Sequence, residues 1–252
     1  VSVRAARRRR SRPSFAVRVR TFWVIAALIV VAAAALAVAF ADAPVFRVRV
    51  VRADVPPGGA VRASDVLAAA HVPPDANLWL LDTGAMRKRI AAIPYVLDAR
   101  SHRTQFPQPA IAFAITLRVP TGCVHTAGGV VTIDATARVL QAGCAARNLP
   151  VVDAGNASAP PPGEILTTPD IDRLLADAQA IGSQVPVKLV RRDRFGGLEA
   201  IDTDGVILRF GADDDLATKL ALVDPIRRST AGAKRLRAID LRAPDTPVVE
   251  FP

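Results

Sequence analysis

Chemistry in this chain would have to be assembled from three histidines, two cysteines and a run of adjacent aspartates. Nucleophilic catalysis needs a base within reach of a nucleophile. His71, His102 and His125 stand in none of the settings G-x-S-x-G, H-E-x-x-H or their equivalents. His71 closes a helix-like run in "AAHVPP", and the other two fall in strand-like runs, so all three read as structural or solvent-facing imidazoles. Asp213–Asp215 opens a helix-like run, where carboxylates favour the positive end of the dipole. The "AGG" at 127–129 lacks the strand-loop-helix context of a phosphate cradle. The "DTDG" at 202–205 has too few carboxylates for a calcium loop and reads as a hairpin turn. No catalytic, cofactor or metal constellation emerges, and a non-enzyme without a small-molecule substrate is the expectation.

Cys123 and Cys144 leave two readings open. A disulfide would close a 22-residue loop, worth about 3 kcal/mol in the loop-entropy model. Two buried free thiols are the other reading. A zinc site is disfavoured, because His125 alone lies near them.

The net charge of +10 points towards nucleic acid only if it is spread over a folded face. It is not: eight arginines and no acid fall within residues 1–21, which leaves 25 Lys and Arg against 23 Asp and Glu. Residues 22–41, "FWVIAALIVVAAAALAVAFA", account for the basic tail. Twenty apolar residues suffice to cross a hydrocarbon core of about 30 Å as a helix. Phe22 and Trp23 suit the interface, and the positive-inside rule keeps the tail cytoplasmic and exports the remainder. Ala39-Phe40-Ala41 resembles a signal-peptidase site. The apolar run exceeds the roughly 7–15 residues of a cleaved signal's core, so an uncleaved signal-anchor is expected.

The exported part alternates between strand and helix patterns. Phe46–Val51 reads as a strand, and Ser64 as the cap of a short helix. A second helix starts near Asp82 or Thr83, with Met86, Ile90 and Ile93 at helical spacing. Tyr95–His102 and "AIAFAITL" (110–117) follow as strands, with Ile111, Phe113, Ile115 and Leu117 on one face. This β-α-α-β-β order implies a three-stranded sheet with helices on one side. Beyond it come short strands to Leu149, a polar loop at 151–164, and a helix capped by Thr168 with Pro169 first. Strands at 187–190, 198–201 and 206–210, the helix after Asp213–Asp215, and strands around Ile239 and Val248–Phe251 complete the pattern.

Taken in order and spacing, these segments resemble the bacterial cell-division family FtsQ/DivIB over nearly the whole chain. The resemblance rests on the anchor, on "FRVRVV" through "AITLRVP" with "IPYV" at 93–96 and Phe106-Pro107, on Arg118 and Pro120, on "VVTIDATARVL", and on "AIDLR" at 238–242. Leu117, Ala135-Thr136 and Ala243 depart from the family pattern. The resemblance implies an α+β fold with a single N-terminal transmembrane helix. A POTRA domain (β-α-α-β-β) follows, then a second mixed α/β domain with a largely antiparallel sheet. The boundaries are a basic tail at 1–21, a span at 22–41, a joint at 42–45, the FtsQ-type POTRA domain at 46–117 and a β-rich domain at 118–252.

The function it implies is that of a non-catalytic division scaffold in the cytoplasmic (inner) membrane, single-pass type II, at the septum. Its partners would be the FtsB–FtsL coiled coil and, indirectly, the septal peptidoglycan synthases FtsW and FtsI. The contact surface expected from the residues is an unpaired sheet edge that takes up a partner strand. Its candidate residues are Leu241, Arg242, Ala243, Val248, Val249, Glu250 and Phe251, with Arg242 supplying charged hydrogen bonds. A central position for 248–251 is the competing reading. A POTRA-containing secretion or outer-membrane assembly factor is the alternative function. That class would carry tandem repeats or a barrel, whereas one β-α-α-β-β pattern is visible.

Overall fold

The computed structural model describes residues 15–230 and 235–252. Its first element, α1, runs Phe15–Asp42, about 42 Å at 1.5 Å per residue. The segment Phe22–Asp42 has a mean hydropathy of 2.9, and none of its apolar window is covered by the rest of the chain. The helix begins earlier than the expected span. No glycine or proline separates Phe15 from Phe22, so residues 15–21 continue α1. The first fourteen residues of the basic tail lie outside the described residues.

The expected strand at Phe46–Val51 is displaced. Phe46 N–H donates to Ala43 O (3.1 Å) and Arg47 N–H to Pro44 O (3.3 Å), closing a tight turn over Pro44–Phe46. The backbone then pairs with the loop at 71–82: Leu78 N–H donates to Phe46 O (2.7 Å) and Val48 N–H to Ala76 O (2.9 Å). Strand β1 therefore covers Val50–Asp54. The same loop holds the end of α1. Asn77 Nδ2 donates to Phe40 O (2.8 Å) and Ala41 O (3.3 Å), satisfying carbonyls that a helix C-terminus leaves free. The Phe40 and Phe46 rings sit 4.7 Å apart, centroid to centroid.

The first sheet has the order β1-β3-β2. Strand β3 (Ala110–Leu117) runs parallel to β1 and antiparallel to β2 (Val96–Thr104). Ile111, Phe113 and Ile115 point to one face and are buried. They pack with Val66 of α2 (Ala63–Ala70) and Met86 and Ile90 of α3 (Thr83–Ala91). Asp82 caps α3 by accepting from Ala85 N–H at 2.9 Å. Ser64 does not cap α2. The extended Arg62 takes that place, its N–H donating to Asp65 Oδ2 at 3.1 Å, so the helix starts one residue before Ser64.

Among the described residues, the second sheet contains nine strands in the order β12-β11-β10-β9-β8-β7-β4-β5-β6. They are β4 (Pro120–Thr126), β5 (Gly129–Asp134), β6 (Val139–Ala142), β7 (Val151–Asp153), β8 (Val187–Arg192), β9 (Leu198–Asp202), β10 (Ile207–Gly211), β11 (Ala238–Asp240) and β12 (Val248–Glu250). Pairs β4–β7, β7–β8 and β10–β11 are parallel and the other five antiparallel. Helix α4 (Ile171–Gly182) and α5 (Leu216–Thr230) contribute Leu174, Ala178, Ile181, Leu220 and Val223 to its core.

Two expectations in this region are corrected. The segment 151–164 is not loop throughout, because Val151–Asp153 forms β7 between β4 and β8. Thr168 does not cap α4: Asp170 adopts φ 56°, which breaks helical continuity, and the helix begins at Ile171. The turn at 202–205 holds more than a reversal. Asp202 is wholly buried, accepts from Asp204 and Val206 N–H (2.8 Å each), and pairs with Arg227 of α5. Cys123 of β4 and Cys144, just after β6, form a disulfide with their Cα atoms 5.4 Å apart. It spans β5, which lies between those strands.

The two cores meet at Arg118. Its N–H donates to Tyr95 O (2.8 Å), its Nε to Val96 O (3.2 Å) and its Nη1 to Asp134 Oδ2 (2.7 Å). Nearby, Tyr95 Oη and Gln141 Oε1 of β6 are 2.8 Å apart, and burial pushes the Tyr95 phenol pKa up. Burial opposes charge on Asp134. Hydrogen bonds from Thr136, Arg118 and the Thr136 and Arg138 amides outweigh it and hold the carboxyl below its usual range.

Candidate functional site

Strand β12 lies at one end of the nine-stranded sheet, with β11 as its single neighbour among the described residues. Ala238, Ile239 and Asp240 face Glu250, Val249 and Val248 in antiparallel register. Val249 packs against the core. Val248 is 58% exposed and Phe251 38% exposed. The free side of β12 therefore offers backbone donors and acceptors flanked by two accessible apolar side chains. An edge of this kind is a template for another strand.

The sequence-expected residues divide into four groups. Leu241 is fully buried, its N–H donating to Arg209 O at 2.8 Å, so it anchors the segment and presents no surface. Arg242 forks onto Asp240 within its own chain, with Nε 3.0 Å from both carboxylate oxygens and Nη2 2.5 Å from Oδ2. Ala243 is exposed in the loop that follows. Val248, Val249, Glu250 and Phe251 are brought together along β12 and its end.

Charges behind the edge are matched. Glu250 Oε1 accepts from Arg209 Nη1 of β10 at 2.6 Å. That contact raises the Arg209 pKa from its already high value, against the opposing effect of burial. The Arg242 fork lowers the Asp240 carboxyl below its ordinary range despite burial, and Asp240 raises Arg242 in turn. Asp193 and Glu250 add weaker attraction for Arg242. Further along the same sheet, Arg191 Nη2 meets Glu199 Oε1 at 3.2 Å.

Arg209 and Gly211 were not among the expected site residues. Each left a trace in "ILRFG": a lone charge in an apolar strand, then a glycine. Gly211 has φ 71°, and a Cβ built there would lie 2.8 Å from Arg242 Cγ. The absent side chain lets Arg242 lie across the sheet towards Asp240.

The residues first considered for catalysis are dispersed. His71 ends α2 with φ 46°, His102 lies on β2 and His125 on β4, and all three are exposed. Asp213 pairs with Arg173 of α4 (2.5 Å) and Arg192 of β8 (3.2 Å), and Asp214 with Lys219 of α5 (3.1 Å), so Asp213 ties the segment before α5 to α4 and the sheet while Asp214 pairs within the start of α5. Among the described residues, no group of three His, Cys, Asp or Glu is placed to hold a metal ion.

Comparison with known proteins identifies two relatives. The chain is 28% identical over 190 residues to "Cell division protein FtsQ" of Streptomyces venezuelae, covering 73% of this chain and 67% of that protein. It is 28% identical over 228 residues to "Cell division protein FtsQ" of Mycolicibacterium smegmatis, covering 89% of this chain and 63% of that protein. The chain thus spans about two thirds of the length of these curated relatives. No family model matches it.

Proposed function

We propose that the chain, similar to these two cell-division proteins, belongs to the FtsQ/DivIB family and acts as a non-catalytic, membrane-anchored scaffold of the division site. Helix α1 is the anchor, and the two sheets are carried on the extracytoplasmic side. The partner is a coiled-coil division protein of the FtsB/FtsL type, and through it the scaffold helps regulate septal synthases of the FtsW/FtsI type. The chain works at the division septum, as a type II protein of the inner membrane.

One observation supports the binding mode best. The last strand, β12, has a single neighbour among the described residues, while its own position is held by Arg209, Asp240 and the buried Leu241. A held strand with an unpaired side is pre-organised for β-augmentation, since β12 itself is already ordered before a partner strand pairs with it. Main-chain hydrogen bonds would provide the affinity. Val248 and Phe251 would provide side-chain selectivity, each towards one face of an added strand, because their odd spacing puts them on opposite faces.

Deletion of 246–252 from the full chain tests this reading by co-purification with an FtsB-type partner. Loss of the partner, with the remaining protein still cooperatively folded, is the expected result. Undiminished binding by the folded truncation would reject it.

A further inference from the structure

The loop before α3 touches the end of the membrane helix. Asn77 Nδ2 reaches Phe40 O at 2.8 Å, so Asn77 sits within hydrogen-bond distance of the last turn of α1. Trp79 N–H donates to Asn77 Oδ1 (2.9 Å) and Leu80 N–H to Asn77 O (3.1 Å). This tight turn keeps both residues close to that point, since two and three residues extend the chain by at most about 7 and 11 Å. Ala41 and Leu80 line one groove of about 470 Å³, together with Ala76, Leu81, Met86 and Arg89. Yet Trp79 is 47% exposed and Leu80 61% exposed. Two large apolar side chains thus stand uncovered beside the exit of a membrane-spanning helix.

We propose that Trp79 and Leu80 form a second membrane contact, entering the headgroup–acyl boundary of the bilayer that α1 spans. The inference rests on the reading of α1 as a span. The occupant follows from position. A helix that crosses the hydrocarbon core ends in an interfacial layer about 5–8 Å deep on each side, and Asn77 fixes the loop at that end. Trp favours this layer because its ring is amphipathic. The exposed Arg47, bridged in backbone register to Asn77, lies at the same level, where its long side chain can lie along apolar surface and keep its charged head among the headgroups. With Asn77 tied to the helix and Trp79 and Leu80 set in the interface, the first domain rests against the membrane instead of swinging on a free linker.

The test uses the full chain in vesicles of phosphatidylethanolamine and phosphatidylglycerol. The chain has two tryptophans, so Trp23→Phe leaves Trp79 as the sole reporter. Its emission should be quenched by lipid brominated near the headgroup and little affected by aqueous iodide. Asn77→Ala, which frees the loop from α1, should reduce the lipid quenching. Full iodide access with no effect of brominated lipid would overturn the proposal. Shielding from both quenchers that grows with the protein-to-lipid ratio would overturn it too, pointing to a protein occupant. The companion Trp79→Phe chain reports from Trp23. Lipid quenching there, without it at Trp79, rejects the second contact alone, whereas its absence at both sites rejects the span and the contact together.

Discussion

Arg209 Nη1 donates to Glu250 Oε1 at 2.6 Å, although β11 separates their strands. The pair bridges the last strand to the third from the edge, and both side chains are about one third exposed or more (32% and 42%). Solvent screening limits such a pair to no more than about 1 kcal/mol, so its effect should be local. Glu250→Gln is expected to leave global stability within that margin while speeding amide exchange at Val248–Glu250. Hydrogen–deuterium exchange of the isolated protein checks this against a urea melt.

Leu241 and Val248 lie in the same short segment and should respond in opposite ways. Leu241 is wholly buried, and Leu241→Ala should cost about 2–5 kcal/mol through lost contacts and a residual cavity. Val248 is mostly exposed, and Val248→Ser should change stability by only about 0.5 kcal/mol while weakening partner binding. Denaturant unfolding and a binding titration on both variants separate anchor from contact.

Arg118 and Asp134 form the most buried ion pair between the two cores, with side-chain exposures of 14% and 7%. Asp134→Ala leaves Arg118 uncompensated and should cost about 3–5 kcal/mol at neutral pH. The folded-state pKa of Asp134 is lowered. Its stabilisation is therefore present above the unfolded value of about 3.9 and lost as pH falls through the lower folded value. The gap between wild type and variant should stay constant near neutrality and narrow only in acid below that range. Urea unfolding over a pH series measures it.

The Cys123–Cys144 bridge closes a 22-residue loop. Reduction, or Cys123→Ala with Cys144→Ala, should lower stability by about 3 kcal/mol in the loop-entropy model. Unfolding with and without reductant tests this, and the double variant should show no further loss on reduction.

Much of this architecture was legible where one physical cause dominates. The alternation of Ile111, Phe113 and Ile115 exposed a half-buried strand, and Asp82 announced α3 because its side chain reaches Ala85 N–H. The misreadings arose where neighbours competed. Ser64 has the right chemistry for a cap, but Arg62 already holds the extended backbone that a cap needs, and Asp65 satisfies its N–H. Thr168 lost its expected role to the left-handed Asp170. β7 has three residues and gains its place from pairing with β4 and β8, contacts that no local pattern encodes.

The site was legible in part. Val248–Phe251 announced a strand, but strand order decides whether it is central or at an edge. The Arg209–Glu250 contact joins residues 41 positions apart. Asn77 at the end of α1 was silent in sequence for the same reason, since its partners lie 36 and 37 residues upstream.

The most direct test of the central claim is residue-resolved hydrogen exchange across β12 with and without an FtsB-type partner segment. Strand addition should protect backbone amides within Val248–Phe251 and leave the core of the first sheet, around Phe113, unchanged. Binding that protects another surface and leaves the amides of 248–251 exchanging as in the free protein would contradict the account.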